Sequence, residues 1–341
     1  MTASESHFYL IPRTGAPTRL ENMQEALQAQ EAKLNYVWLD FFQPGKDELQ
    51  ALIEPLDLHP LSIEDCLDEN QMPKMDDYPG NTFIIFNNFN YADHMLTIDE
   101  LNIFISDHFL VTVRHDNAGS QSFIQEIERS FVRNNESVRL GPAFLLHFIL
   151  DQVVDRKFLA IEGLEDELNI AEEAIMADLP RFNPAELLHL RRDLLAVRKS
   201  LFNERETLVK ICRLDCPFIT KKAIFFYRDI YDHLSKFFEL TESSRDLVTS
   251  LMEMYLSMLN NQMAKAANDT NATVRRLTFI TTIFMPLSLL AGIGGMSEWS
   301  MMTGPENWKF SYPLFLLVML VMGLFNYYLL KAWEKKRGIK D

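Results

Sequence analysis

Two uncharged apolar runs near the C-terminus constrain this chain more than any other feature. Leu277 to Ile293 reads LTFITTIFMPLSLLAGI, and Tyr312 to Leu330 reads YPLFLLVMLVMGLFNYYLL. Their 17 and 19 residues approach the ~20 that a helix needs to cross a hydrocarbon core about 30 Å thick. A soluble fold would have to bury both runs completely, whereas a bilayer accepts them as they stand. The flanks also suit a bilayer. Arg275 and Arg276 precede the first run, and Lys331, Lys335, Lys336, Arg337 and Lys340 follow the second. Trp308, Tyr312, Tyr327, Tyr328 and Trp333 fall where headgroups would lie. The link from Gly294 to Ser311 holds one base, Lys309, and two acids, Glu298 and Glu306. The Lys/Arg bias therefore predicts both chain ends in the cytoplasm and this link outside. Two spans cannot enclose a hydrated pore, so transport through them requires several copies of the chain.

Charge divides the chain in the same place. The net charge is −15 over 341 residues, and residues 1–276 alone carry −17. A region this acidic, with no long Lys/Arg run, is a poor partner for nucleic acid, but it concentrates cations around itself. Three cysteines cannot build a disulfide framework and suggest a reducing compartment. Cys212 and Cys216 have no adjoining histidine to complete a zinc site. The eight histidines show no HxxH or HExxH, and the chain has no P-loop and no GxGxxG. Neither an enzyme, nor an ATP-driven pump, nor a bound cofactor is expected.

The acidic region has two characters. Residues 36–41 (YVWLDF), Thr82 to Phe89, Ile98 to Ile105 and Phe109 to Val113 are rich in Ile, Phe and Val, with turn signals such as Asp107-His108 between them. Asp47 to Glu54, Ser62 to Leu67 and Phe123 to Arg133 have helical spacing. The expectation is an α/β domain. From Pro142 strand signals disappear. One helix is expected from Pro142 to about Asp178 and a second from Asn183-Pro184 to the break at Cys216-Pro217. A third starts near Thr220 and meets no Pro or Gly until Pro286. At 1.5 Å per residue that is a stalk of ~100 Å. Glu162, Glu165, Asp166, Glu167, Glu172, Glu173 and Asp178 form a base-free acidic stretch. It reads either as a cation-concentrating surface or as an ordinary solvated helix face.

One seam runs from the stalk into the first apolar run. Glu253, Ser257, Asn260, Ala264, Ala267, Asn271, Val274, Thr278, Thr281, Met285, Ser288 and Gly292 follow one another in alternating steps of four and three. Most are small or polar, where a dry coiled coil would use Leu or Ile. Either helices pack closely along the seam, or copies of this helix line a pore with it.

Four blocks carry a resemblance that covers nearly the whole chain: LHPLSIEDCLDENQMPKMDDYPGNTFIIF (Leu58–Phe86), LRRDLLAVRKSL (Leu190–Leu201), YRDIYDHL (Tyr227–Leu234) and TFITTIFMPLSLLAGIGGM (Thr278–Met296). In these the sequence resembles the CorA-type divalent metal cation (magnesium/cobalt) transporter family. The resemblance implies an α/β cytoplasmic domain, long stalk helices and two transmembrane helices per subunit in a funnel-shaped homopentamer of the inner membrane. It implies residues 1–140 as the cytoplasmic α/β domain and 141–276 as the helical and stalk region. Residues 277–293 become the pore-lining first span, 294–311 the extracytoplasmic loop, 312–330 the second span and 331–341 the basic tail.

The family's pore rings of Asn, Leu, Met and Thr fall on Asn271, Leu277, Met285 and Ser288, three of which lie on the seam. The selectivity mouth falls on Gly295, Met296, Ser297 and Glu298, with Ser297 in place of the Asn of the family's Gly-Met-Asn. A regulatory divalent site between subunits falls on Asp229, with Asp93 as the nearest partner carboxylate. The substrate implied is Mg²⁺, with Co²⁺ or Ni²⁺ beside it. Because Ser297 is shorter than Asn, a ZntB-like zinc transporter, proton-coupled in mechanism, is the alternative. A non-conducting membrane-anchored metal sensor is the rival from another class.

Overall fold

The structure is a computed structural model of the chain and describes residues 6–31, 36–68, 71–115, 127, 135–295, 304 and 306–336. Two compact units divide at Tyr255 and Leu256. In the first, seven strands among the described residues form one sheet: β1 (His7–Ile11), β2 (Thr18–Leu20), β3 (Tyr36–Phe42), β4 (Lys74–Asp77), β5 (Thr82–Ala92), β6 (Met95–Ile105) and β7 (Phe109–Arg114). Their order is β2-β1-β3-β7-β6-β5-β4. β3 runs parallel to β7, and the other neighbours are antiparallel. The helices are α1 (Met23–Glu31), α2 (Lys46–Gln50), α3 (Ile53–Leu56), α4 (Pro60–Leu67), α5 (Asn135–Val138), α6 (Pro142–Ala177), α7 (Ala185–Cys212), α8 (Ile224–Gly294) and α9 (Trp308–Lys336).

The central strands read as unbroken apolar runs because both of their faces are covered. Leu49, Leu56 and Ile63 from α2, α3 and α4, with Leu52 at the α2–α3 turn, pack with Val37, Leu39, Phe41, Phe83, Ile85, Phe104 and Val111. α6 packs against β5. Between β3 and β7 the sheet holds a buried polar chain. Trp38 Nε1 donates to Thr112 Oγ1 at 3.1 Å, and the Thr112 hydroxyl donates to Asp40 Oδ1 at 2.6 Å. Arg114 grips Asp40 through Nε (3.0 Å) and Nη2 (2.6 Å). A two-pronged guanidinium–carboxylate contact is what makes a buried ion pair tolerable there.

The expected strands all form, and Asp107-His108 makes the tight β6–β7 connection, closed by Ser106 N–H donating to Phe109 O at 3.0 Å. β1, β2, β4 and α1 are additions. They are short and mixed in polarity, as in Lys-Met-Asp-Asp of β4, so they carry no clean period. Of the expected helix Phe123 to Arg133, only Ile127 lies among the described residues, helical and fully buried. α6 begins with Pro142 at its first position, as expected. α7 opens beside Asn183, whose Oδ1 accepts from Ala185 N–H at 3.1 Å.

In the second unit, α8 continues through Pro286 to Gly294, a total of 71 residues from Ile224. Proline removes one N–H from a helix. In an apolar span the alternative, an open break, would expose more backbone than that. α8 and α9 each contain a stretch long and apolar enough to cross a membrane, and neither stretch is buried in the single chain.

Candidate functional site

The seam occupies one face of α8. Asn271, Val274, Leu277, Thr278, Thr281, Met285, Ser288 and Gly292 are all exposed, Met285 to 72%. The half-buried positions of the same stretch are Arg275, Phe279, Ile283, Pro286, Leu287, Leu290 and Gly294. At 100° per residue these two sets are centred about 160° apart around the helix. The second set meets α9. A Cβ on Gly294 would fall 2.7 Å from Phe315 Cζ, and one on Gly323 would fall 3.6 Å from Leu287 Cδ1. Glycine at these points lets the two helices approach closely. Helix packing within the chain therefore uses the face opposite the seam.

The hydroxyls of the seam threonines Thr278 and Thr281 bond to their own helix. Thr278 Oγ1 donates to Val274 O and Thr281 Oγ1 to Leu277 O, both at 2.9 Å. A hydroxyl that spends its proton on its own helix presents oxygen lone pairs outward, as an acceptor. Beyond Gly294, Gly295 still donates its N–H to Ala291 O at 3.0 Å. Met296, Ser297 and Glu298 lie outside the described residues.

Asp93 and Asp229 both belong to the first unit. Asp93 is the first residue of the two-residue turn between β5 and β6. Asp93 and His94 both have positive φ, 52° and 61°, which matches the right-handed twist of the hairpin. The Asp229 side chain is 67% exposed on α8 and 3.6 Å from His233 Nε2. Among the described residues of the single chain, no three His, Cys, Asp or Glu side chains have the spacing of a metal site.

The sequence reading missed the surroundings of Asp229. His147, Asp151 and Asp155 stand one turn apart on α6, and their protonation is coupled to α8. Burial and then the Asp229 charge push the Asp151 carboxyl up, against His233. Burial and then Asp151 push Asp155 up. Burial pulls His147 down while Asp229 opposes it. The i, i+4 rows were visible in the sequence; that they face each other was not. The reading also missed Lys157 on α6 and Glu204 on α7, both fully buried and joined at 2.8 Å. Glu204 Oε1 also accepts from Asn87 N–H at 2.8 Å, and the Lys157 ammonium donates to the Asn87 carbonyl. Lys157 Nζ lies 4.0 Å above the Phe89 ring.

A large α/β unit followed by two apolar helices, one bearing a small, polar seam, defines a two-span membrane protein of the ion-transport class. Residues 33–336 match the family model described as CorA-like Mg2+ transporter protein, and the chain belongs to that family. YfjQ of Bacillus subtilis (strain 168) is 32% identical over 310 residues, 90% of this chain and 92% of the relative. The cobalt/magnesium transport protein CorA of Thermotoga maritima is 31% identical over 299 residues, 86% of this chain and 80% of the relative. The complete structure of the CorA magnesium transporter from Methanocaldococcus jannaschii matches with a TM-score of 0.72 at 23% identity, covering 96% of this chain and 98% of that one, a likeness of fold. The chain is accordingly a divalent cation transporter and not an enzyme, with the cation as substrate.

Proposed function

We propose that this protein is a homopentameric channel of the inner membrane, with five copies of α8 around the axis and both chain termini in the cytoplasm. The observation that carries this reading is the exposed seam lying opposite the face that α8 gives to α9. Asn271, Val274, Leu277, Thr278, Thr281, Met285, Ser288 and Gly292 line the pore, and Gly295, Met296, Ser297 and Glu298 form its outer mouth. Met285 supplies a ring of apolar side chains that excludes water when the pore is closed. Flow is driven by the membrane potential, worth ~2.3 kcal/mol per charge per 100 mV and about twice that for a divalent ion.

Mg²⁺ is the substrate proposed first, with Co²⁺ and Ni²⁺ beside it. Mg²⁺ dehydrates reluctantly, so the mouth must recognise the ion's bound waters. Ser297 favours a second reading, zinc transport, because a hydroxyl reaches less far toward the axis than an amide. Uptake into liposomes from mixtures of Mg²⁺, Zn²⁺ and Co²⁺, with and without a proton gradient, separates the two. Ser297→Asn should shift the uptake ratio toward Mg²⁺; an unchanged ratio would put selection elsewhere on the seam. Absence of flux for every ion would leave a metal sensor in place of a channel.

Asp93 of one subunit and Asp229 of the next are proposed as ligands of a regulatory cytoplasmic divalent ion. The support is the crowding of Asp151 beside Asp229, whose charge adds to burial in pushing the Asp151 carboxyl up. An oxygen-ligated Mg²⁺ there would screen carboxylates that otherwise repel, and so hold the closed form.

A further inference from the structure

The tip of the β5–β6 hairpin is held against α6. The Tyr91 ring lies against Gly163, where a Cβ would come 2.7 Å from Tyr91 Cε1. The Tyr91 hydroxyl donates to Glu167 Oε2 at 2.5 Å. The other oxygen of that carboxylate, Oε1, lies 4.0 Å from His94 Nδ1. One carboxylate thus lies beside residues on both sides of Asp93. We propose that Gly163, Tyr91 and Glu167 form a clasp that positions the Asp93 carboxylate for the interfacial divalent cation, an inference that rests on the regulatory site proposed above.

The need for a clasp follows from the hairpin itself. The first residues of β6 and the last of β5 are exposed or half-buried, in contrast to the buried strand segments behind them. A two-stranded ribbon extending past its core is only marginally ordered in water. Neither Asp93 nor His94 is a glycine, yet both hold positive φ, which side chains rarely adopt unless the surroundings impose it. The bare Gly163 surface admits the ring, and Glu167, one turn along the same helix, receives the hydroxyl. This also gives Gly163 and Glu167, within the acidic stretch of α6, a job that a solvated helix face would not require.

A carboxylate on a loose tip binds with its intrinsic affinity reduced by the fraction of time spent in the competent geometry. If the freed tip is competent about a tenth of the time, apparent affinity falls about tenfold.

The test is a Mg²⁺ titration of limited proteolysis on the full-length protein in lipid nanodiscs, alongside melting temperatures measured without metal. Gly163→Ala, which pushes Tyr91 off the helix, should raise the Mg²⁺ concentration for half-protection about tenfold. Tyr91→Phe keeps the ring and loses the hydroxyl, and should raise it about threefold. Glu167→Ala should behave like Tyr91→Phe, whereas Glu167→Gln, which still accepts from the hydroxyl, should restore the midpoint. A purely structural role would lower the metal-free melting temperature of these variants and leave the Mg²⁺ midpoint in place, and that result would overturn the clasp. Asp93→Ala separates the two levels. If it shifts the midpoint while Gly163→Ala and Glu167→Ala do not, the clasp alone falls. If Asp93→Ala shifts nothing, the interfacial site falls and takes the clasp with it.

Discussion

Replacing Lys157 with methionine tests how the helices are locked to the sheet. Lys157 and Glu204 are both 0% exposed, and their side chains meet at 2.8 Å. Burial drives Lys157 and Glu204 toward their neutral forms, and each holds the other charged. Lys157→Met fits the volume but strands a carboxylate, which costs about 3–5 kcal/mol. For a domain of this size each kcal/mol moves the melting temperature by about 2–4 °C, so a drop of about 10 °C is expected. Adding Glu204→Gln removes the stranded charge while Oε1 still accepts from Asn87 N–H. The double variant should then recover most of the loss, leaving about 1–2 kcal/mol for the Asn87 carbonyl that no longer has the ammonium. The melt can be followed by the fluorescence of Trp38, which is fully buried in β3, using detergent-solubilised full-length protein. A double variant as unstable as Lys157→Met, or a single loss below about 1 kcal/mol, would refute the reasoning.

Three further outcomes are expected. A carboxyl whose folded pKa is raised favours folding below its ordinary pKa and loses that contribution as pH rises through the folded value, so ionised Asp151 costs stability near neutrality; Asp151→Asn should raise the metal-free melting temperature at neutral pH, with the gain vanishing near about pH 4, and an equal gain at both pH values would count against it. Met285→Ala should raise cation flux by widening an apolar constriction, and Ser288→Leu should block it; unchanged flux in both would make the seam a packing surface. A cysteine at Gly304 should react with an impermeant thiol reagent on intact cells and one at Lys340 only after permeabilisation; the opposite pattern would invert the topology.

What could be read from the sequence depended on how much of the physics was periodic. β3, β5, β6 and β7 announced themselves because burial on both faces forces unbroken Ile, Phe and Val. α7 did so because Leu187, Leu190, Leu194, Val197 and Leu201 must share one stripe, and they are buried as one. β2 and β4, with three and four residues, lacked the length to show any period. The seam was legible as spacing, but whether it was exposed or packed was not, since a 4-3 step serves both. Lys157 and Glu204 were invisible for a different reason. They are 47 residues apart, each sits among charged neighbours in the sequence, and only the packing of two helices on Asn87 makes them a pair. Asp93 came only through resemblance, Glu167 was visible only as one acid of the α6 stretch, and Tyr91 and Gly163 carried no signal.

The exposure of the seam in one chain sharpens the choice between its two readings. If it served close helix packing within a subunit, α9 would lie on it, but the small residues that α9 meets are Gly294 on α8 and its own Gly323. If it faced lipid, Thr278 and Thr281 would be tolerable, because each hydroxyl is bonded to its own helix. Ser288 and Gly292 would still be a poor choice there, since neither fills the space against acyl chains as a larger apolar residue would. Met285 is the one bulky side chain on the seam between Thr278 and Gly292. A lipid face needs no such interruption of small side chains by a single large one. A symmetric bundle does, because small residues keep the axis open on either side of one apolar ring, and the ring decides whether water, and with it an ion, can pass.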